Sequence, residues 1–486
     1  MNFESLQDLY SGASGALAPL LWLTGGLLAV LICDITPVLI KLRPAVVPAA
    51  LLGAAWSAAQ LIANPSGPVL GGTFIGDSQT GAFTLIFVLA TLLAWGQARR
   101  YYDQEKAFIG EHDALLITAP IGMILMAGAQ DMIVFFIGLE LLSIPLYCLA
   151  AFRRTRDESV EAGLRYFILG AFGVALFLMG AGLVYTAAGT LNIESLTHAR
   201  VALGTPLGGM GLALIMGSLL FKAGVVPFHL WVPDVYQGSP TPVTTLMATG
   251  TKAAAFAFLL RFAPVLPPEA GYPLGIIAVV TLAMGNLGAL VQKDLKRLLA
   301  WSGIAHAGLL LLVIAAAVTA TGTGEQAQIL NAATSALLFY LLAYAFAAGG
   351  ALGLVAWMEA DGEDHTSLSR WQGLGSVRPG IAAGMTLFLL SLGGIPATGG
   401  FLGKWLAFSA AVRADMLPLA VLGALTSVVA MGYYLRVVIT IWMKPRPEAW
   451  ATPRIDRPLA AFLAGFCAAM VLALGLLPGF VLGPLF

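Results

Sequence analysis

LIMGSLLFKAGVVPFHLWVPD, residues 214–234, decides how this chain is to be read. It begins as an apolar helix and then does two things that a simple spanning helix does not. Lys222 stands inside the apolar run, and Gly224 and Pro227 follow directly. Proline removes a helix hydrogen bond and its ring crowds the preceding turn. Such breaks are tolerated inside a membrane where the backbone lines protein or a water-filled cavity. Transporters place them near ion sites.

The rest of the chain calls for the same solvent. Of 486 residues, 59% are hydrophobic and 10% charged, with a mean hydropathy of +0.88. Soluble domains carry about a quarter charged residues, so the bilayer is the expected surroundings. Lys plus Arg and Asp plus Glu balance at 25 each, leaving no basic excess for nucleic acid. Cys33, Cys148 and Cys467 lie far apart in apolar runs and are expected to pack rather than to bind metal or pair. No glycine-rich phosphate loop, CxxC or helical HExxH occurs, so no metal, nucleotide or redox centre is expected on this chain. The acidic start MNFESLQDLY lacks the basic region of a signal peptide, so the first apolar run is expected to be retained.

A spanning helix needs about 20 mainly apolar residues. Apolar runs predict an all-α polytopic membrane protein with fourteen spans: 13–34, 46–64, 81–99, 114–130, 131–152, 162–188, 207–229, 241–263, 273–292, 297–318, 328–357, 380–410, 416–443 and 458–482. Charge asymmetry checks this count, because short cytoplasmic loops collect Lys and Arg. Loops after odd-numbered spans hold 17 positive charges, among them Arg99, Arg100, Lys106, Arg153, Lys296, Arg297, Arg454 and Arg457. The other side has Arg200, Arg261 and Arg413, which places both termini on the periplasmic side of a bacterial inner membrane. The polar stretch 359–378 reads as a solvated cytoplasmic loop.

Five basic residues remain inside spans: Arg165, Lys222, Lys252, Lys404 and Arg436. Glu140 stands alone in IVFFIGLELLSIPLYCL. A charge at the bilayer centre costs about 2.5–3.5 kcal/mol even on lenient scales, and such groups mark ion paths or paired structural charges. Lys252 has small neighbours in TLMATGTKAAAF, and Lys404 follows a second break in LSLGGIPATGGFLGKW, with Gly394 and Pro396. Burial disfavours a charge and an opposite charge restores it, so pairing with Glu140 decides whether a buried lysine keeps its proton. A row of such groups passes protons without a redox cofactor. His306 fits either a neutral relay between lysines or a hydrogen-bonded packing histidine, and His229 lies in the first break. Arg436 is close to a span end and reads as an anchor.

The broken seventh and twelfth spans lie five apart, which suggests two inverted five-helix repeats, spans 4–8 and 9–13. An odd number of spans per copy forces the inversion. Pairing the fifth span with the tenth sets Glu140, nine residues after Asp131, against His306, nine after Arg297. The chain divides accordingly into residues 1–110, 111–265, 266–445 and 446–486.

FKAGVVPFHLWVPDVYQGSPTPVTTLMATGTK, KDLKRLLAWSGIAHAG and GGIPATGGFLGKW together resemble the antiporter-like membrane subunits of respiratory complex I, relatives of multisubunit Na+/H+ antiporter subunits. Length and Lys404, where a sister branch carries Glu, point to the branch termed subunit N, similar to mitochondrial subunit 2. The resemblance implies a Glu140–Lys222 ion pair, a central relay at Lys252 and an exit-side group at Lys404. It implies proton translocation driven by redox chemistry elsewhere in an NADH:quinone oxidoreductase. FMN, Fe–S clusters and quinone then belong to other subunits, and the partners are the other membrane-arm subunits and the lipid bilayer. Arg165 stands where the family often has Lys. Arginine stays charged at ordinary pH, so Arg165 tunes the pair rather than carrying protons. A Na+/H+ antiporter subunit and a mainly structural arm component are the alternatives.

Overall fold

The computed structural model describes residues 3–99, 101–102, 109–321, 324, 326–359, 366–447 and 458–479. Arg100, Lys106, Arg454 and Arg457 lie outside the described residues, as do 360–365 of the polar stretch and the end of the last predicted span. The described chain is almost entirely helical. Its one departure from an all-α reading is a short hairpin, Gly67–Val69 paired antiparallel with Phe74–Gly76.

Among the described residues, twelve helices are long and apolar enough to cross a membrane. The other two predicted spans are the Ile109–Gly128 helix, whose first turn holds Glu111, and a helix in two halves, Pro379–Gly393 and Gly399–Arg413. The Thr241–Val265, Leu295–Ala320 and Gln326–Glu359 segments are almost wholly buried and form the centre of the bundle. The Asp157–Ala188 and Leu417–Trp442 helices turn apolar side chains such as Phe167, Phe172, Leu425 and Val428 outward. That inverted pattern is what lipid contact requires, because apolar side chains lose nothing by facing hydrocarbon. Helices approach closely at small residues: a Cβ on Gly122 would lie 2.5 Å from the Gly138 carbonyl oxygen.

Both breaks are built alike. Pro206–Ala223 ends at Gly224 (φ +72°), whose N–H reaches the Phe221 carbonyl while Val225 N–H reaches Leu220. Pro379–Gly393 ends at Gly394 (φ +88°), whose N–H reaches Ser391 while Ile395 N–H reaches Leu390. Each is a Schellman motif, which needs a left-handed residue that glycine adopts without a Cβ penalty. The chain resumes as Trp231–Gly238 after the first break. Val226 N–H, freed by that break, donates to Thr281 Oγ1 at 3.2 Å.

Asp131 caps the Met132–Ala150 helix and Asp294 caps Leu295–Ala320, each accepting a backbone N–H in the first turn. Each Asp also forms an isolated antiparallel bridge to a distant loop, Asp131 to Asn192 and Asp294 to Ser367. Counted nine residues from each cap, the positions reached are Glu140 and Gly303. That register differs by three residues from the one counted from Arg297, because the cap and not the first basic residue sets the helix start.

At one end of the bundle, Arg261 clamps Asp77 through two 3.0 Å hydrogen bonds. Burial raises the Asp77 carboxyl, but the Arg261 charge and the bonds from Arg261 and Thr80 outweigh it and hold it below its ordinary value. Arg436 donates to the carbonyls of Leu290 and Gln292 at 2.6 and 2.7 Å, at the C-terminal end of the Gly271–Leu290 helix. A cation there suits the helix dipole, in keeping with an anchor. Cys33 and Cys467 are buried, whereas Cys148 is exposed on the outer face and packs no core.

Candidate functional site: a buried row of ionisable residues

Lys222 occupies the last turn before the first break and is 6% exposed. Its ammonium donates to Ser143 Oγ at 2.7 Å and to Tyr166 OH at 3.4 Å. Tyr166 stacks on Trp231, whose Nε1 donates to the Phe221 carbonyl at 3.0 Å. The second half of the broken helix thereby holds a partner of Lys222 and adds a second donor to a carbonyl that Gly224 N–H already meets. Glu140 lies one turn before Ser143 on the same helix face and feels the Lys222 charge, but makes no direct ion pair with it. Its Oε1 is buried without a hydrogen-bond partner. The expected pair is therefore one of charges in electrostatic reach, while the direct partner of the Lys222 ammonium on that helix is Ser143.

Lys252 is 4% exposed and follows a single π-helical turn, Met247–Thr251. Such turns widen a helix locally and occur often at functional sites. The Lys252 ammonium donates to the Gly303 carbonyl and lies 5.0 Å from the centre of the Tyr344 ring. Gly303 has to be small, since a Cβ there would sit 3.1 Å from Lys252 Nζ. Lys222 and Lys252 share a cavity of about 10 Å³ with Trp231, Tyr236 and Thr251. That is room for about one water.

His306 is 6% exposed, one turn beyond Gly303. Its Nδ1 is hydrogen-bonded to Tyr340 OH, and its Nε2 lies 3.4 Å from Tyr434 OH, which in turn meets Ser302 Oγ at 2.5 Å. With both nitrogens on hydroxyls that donate or accept, the ring has the connections of a relay as well as of a packing group. Lys404, half-buried, donates at 2.8 Å to the carbonyl of Gly393, the last helical residue before the second break. His306 and Lys404 share a second cavity of about 10 Å³ with Asn286, Tyr340 and Tyr433. The charges of Lys252 and Lys404 both reach His306.

The structure thus brings Glu140, Lys222, Lys252, His306 and Lys404 into one series. Arg165 stands apart, half-exposed and held by Glu161 at 2.5 Å and Asp234 at 2.8 Å. His229 is buried edge-on to Trp301, with Nδ1 unpartnered, and touches none of the lysines. Pro227 follows a cis peptide within the first break, and Pro396 lies in the second. Sequence reading missed the linking hydroxyls of Ser143, Tyr166, Tyr340, Tyr344 and Tyr434. The four-residue spacing of Tyr340 and Tyr344 is their one signal. It also took Lys296 and Glu359 for solvated loop charges, but they are 3% and 7% exposed. Among the described residues no group of three or more His, Cys, Asp or Glu could hold a metal.

Residues 129–430 match the family model described as NADH:quinone oxidoreductase/Mrp antiporter, transmembrane. The chain is 39% identical over 411 residues to NADH-quinone oxidoreductase subunit N of Trichlorobacter lovleyi, covering 82% of this chain and 81% of the relative. It is 38% identical over 454 residues to subunit N of Myxococcus xanthus, covering 86% of each. A chain in the structure of respiratory complex I from Thermus thermophilus with bound aureothin is 37% identical, with a TM-score of 0.75 over 94% of this chain and 98% of that one. A chain of the Mrp complex from a Dietzia species shares the fold at 20% identity, with a TM-score of 0.82 over 98% of this chain and 96% of that one. The chain belongs to the NADH:quinone oxidoreductase/Mrp antiporter family.

Proposed function

We propose that this chain is a proton-translocating membrane-arm subunit of a bacterial NADH:quinone oxidoreductase, carrying protons along Glu140, Lys222, Lys252, His306 and Lys404. The observation that carries the reading is the continuity of the row. Glu140 acts on Lys222 by its charge, Lys222 and Lys252 share a cavity of one-water size, Lys252 and His306 both pack on the Tyr344 ring, and His306 and Lys404 share a second such cavity. Relatives that share 38–39% of the sequence are quinone oxidoreductase subunits, which supports this reading over a Na+/H+ antiporter subunit.

On this reading redox chemistry occurs in other subunits, which hold FMN, Fe–S clusters and quinone, and the homologous antiporter-like subunits are neighbours in the arm. A change transmitted from them alters how strongly Glu140 holds the Lys222 charge. Glu140 suits that part because one of its buried oxygens has no fixed partner. The proton released from Lys222 moves to Lys252, then past His306 to Lys404, with Arg165 and His229 at most adjusting the field.

The chain then crosses the inner membrane fourteen times with both termini in the periplasm, three helices preceding two inverted repeats over 111–265 and 266–445 and one helix following. The twin Asp caps with their loop bridges and the twin Schellman breaks support the repeat. Because Asp131 and Asp294 lie five spans apart, the same motif falls on opposite membrane faces. Replacing Lys222 with Ala in an assembled complex should abolish or sharply reduce NADH-driven proton pumping. Pumping at the normal rate would sink the proposal.

A further inference from the structure

We infer that Glu359 and Lys296 form a proton-uptake site on the Arg- and Lys-rich face, feeding Lys252; the inference rests on the translocation reading above. Both line a cleft of about 750 Å³ that also takes in Arg153, Arg165, Asp234 and Arg297. At its floor, Lys296 Nζ lies 4.0 Å from Glu359 Oε1. Glu359 Oε2 accepts from Thr241 Oγ1 and, at 3.4 Å, from Tyr101 OH. Lys296 donates to the Ser239 carbonyl at 2.6 Å, and Arg153 to Tyr101 OH at 3.2 Å.

Neither charge is placed for its own helix. Lys296 stands in the first turn of its helix and Glu359 at the last residue of its own, each the wrong end for the helix dipole. Glu359 instead meets the N-terminal end of the Thr241–Val265 segment, the strand of structure that carries Lys252 eleven residues on, roughly 16 Å along the axis. Lys296 lies seven residues, about 10 Å, before Gly303, which accepts from Lys252.

One thin wall separates the cleft from the first small cavity. The eight-residue helix Trp231–Gly238 turns Asp234 and Gln237 to the cleft, and Trp231, Val232 and Tyr236 to the cavity shared by Lys222 and Lys252. Thr244 Oγ1 holds the Tyr236 carbonyl at 3.0 Å.

A hydronium ion entering the cleft from bulk solvent gives its proton to the Glu359 carboxylate and leaves water. The acid passes it, through water and the Thr241 and Thr244 hydroxyls, to a neutral Lys252 amine, which leaves a carboxylate and an ammonium. Among the described residues, the ionisable groups that face Glu359 are Lys296, Tyr101 and Arg153. Burial and the Glu359 charge both raise the Tyr101 hydroxyl above its ordinary value, so Tyr101 donates and does not titrate in its place.

The test uses the whole complex in inside-out membrane vesicles, with NADH-driven proton pumping followed across pH. Glu359→Gln should slow pumping several-fold and make it fall at a lower pH than in the wild type, while Glu359→Asp keeps most of the rate. Thr241→Val keeps both charges, and should give a smaller loss in the same direction even where Glu359→Gln fails to assemble. Wild-type rate and pH profile in Thr241→Val or in assembled Glu359→Gln overturn the inference, as does equal impairment of the Asp and Gln variants. Lys222→Ala runs alongside. If it still pumps, the translocation reading has failed; if it stops while Glu359→Gln pumps normally, only the uptake site has.

Discussion

Replacing Gly303 with Ala perturbs the row without touching a charge. The added methyl would sit 3.1 Å from Lys252 Nζ and 3.1 Å from Tyr344 OH, where ordinary contact begins at 3.4 Å. The backbone cannot yield inside a packed helix, so the ammonium must withdraw by several tenths of an ångström from the carbonyl it now meets. A hydrogen bond from a charged donor contributes about 1.5–3 kcal/mol; a displacement of a few tenths of an ångström weakens it without breaking it, so a cost of about 1 kcal/mol, or roughly five-fold in occupancy of the present geometry, is expected. The fold itself should not suffer. Ala in a helix interior is favoured over Gly by roughly 0.5–1 kcal/mol, which offsets the crowding. The expected outcome is a complex that assembles, keeps its thermal midpoint, and pumps protons several-fold more slowly than normal. Pumping would be read by quenching of a pH-sensitive dye in inside-out vesicles, with NADH oxidation followed in the same sample. An assembled Gly303→Ala complex that pumps normally would refute the reasoning, because Lys252 would then not need its carbonyl partner to pass protons.

Ser143→Ala removes the 2.7 Å partner of Lys222 and leaves only Tyr166 at 3.4 Å, so pumping should fall, though less than in Lys222→Ala. Equal loss in the two would place the function in Ser143 rather than in the lysine. Gly224→Ala puts a Cβ on a residue with φ +72° and 2.9 Å from Val232 Cγ2. The left-handed backbone costs roughly 1–2 kcal/mol, so a thermal melt of the purified complex should shift down and activity should fall with it. An unshifted melt would mean that the break is not held as described. Asp77→Asn weakens the clamp on Arg261, at a cost of about 1.5–3 kcal/mol for charged hydrogen bonds. The Asp77 carboxyl is held below its ordinary value, so its contribution is complete above that ordinary value and is lost only as pH falls through the lower folded one. Stability of the wild type should therefore be flat in this respect from about pH 6 to 8. A loss in Asp77→Asn that vanished at the alkaline end would contradict the assignment.

The breaks and the lone intramembrane charges were legible in the sequence because each violates a strong rule: apolar runs exclude Lys and Glu, and helices exclude Pro and paired Gly. Lys222, Lys252, Lys404 and Glu140 stood out for that reason. Lys296 and Glu359 did not, because they lie at helix ends, where charges are ordinary, and only packing against Thr241 and Ser239 shows them buried. Arg165 fell on the other side of the same ambiguity. It sits within an apolar run, yet the helix turns it to the polar cleft, where Glu161 and Asp234 hold it. The Glu140–Lys222 pair depended on tertiary distance, and no spacing in sequence could show that Ser143 would be the direct partner of Lys222. The relay tyrosines were hidden because an aromatic residue in a membrane helix is usually packing or an interface anchor.

The two breaks use one device with the lysine on opposite sides of it, and that difference separates what the two lysines can do. A helix ending inside the bundle presents carbonyls and the negative end of its dipole, which favours an ammonium by about 0.3–2 kcal/mol. Lys222 belongs to the half that ends, one residue short of its cap, so it keeps that carbonyl field however the following segment moves. Its surroundings change through the helices that carry Glu140, Ser143 and Tyr166, and through Trp231–Gly238, which stacks on Tyr166 and lines the cavity beside it. Lys404 belongs to the half that resumes, and reaches back across the break to the Gly393 carbonyl. A small shift of Gly399–Arg413 against Pro379–Gly393 would lengthen that bond and withdraw the ammonium from the field in one motion. Lys222 is thus placed to respond to neighbouring charges, and Lys404 to respond to movement. A row that takes its signal at the Glu140 end and releases its proton at the other needs that division of roles.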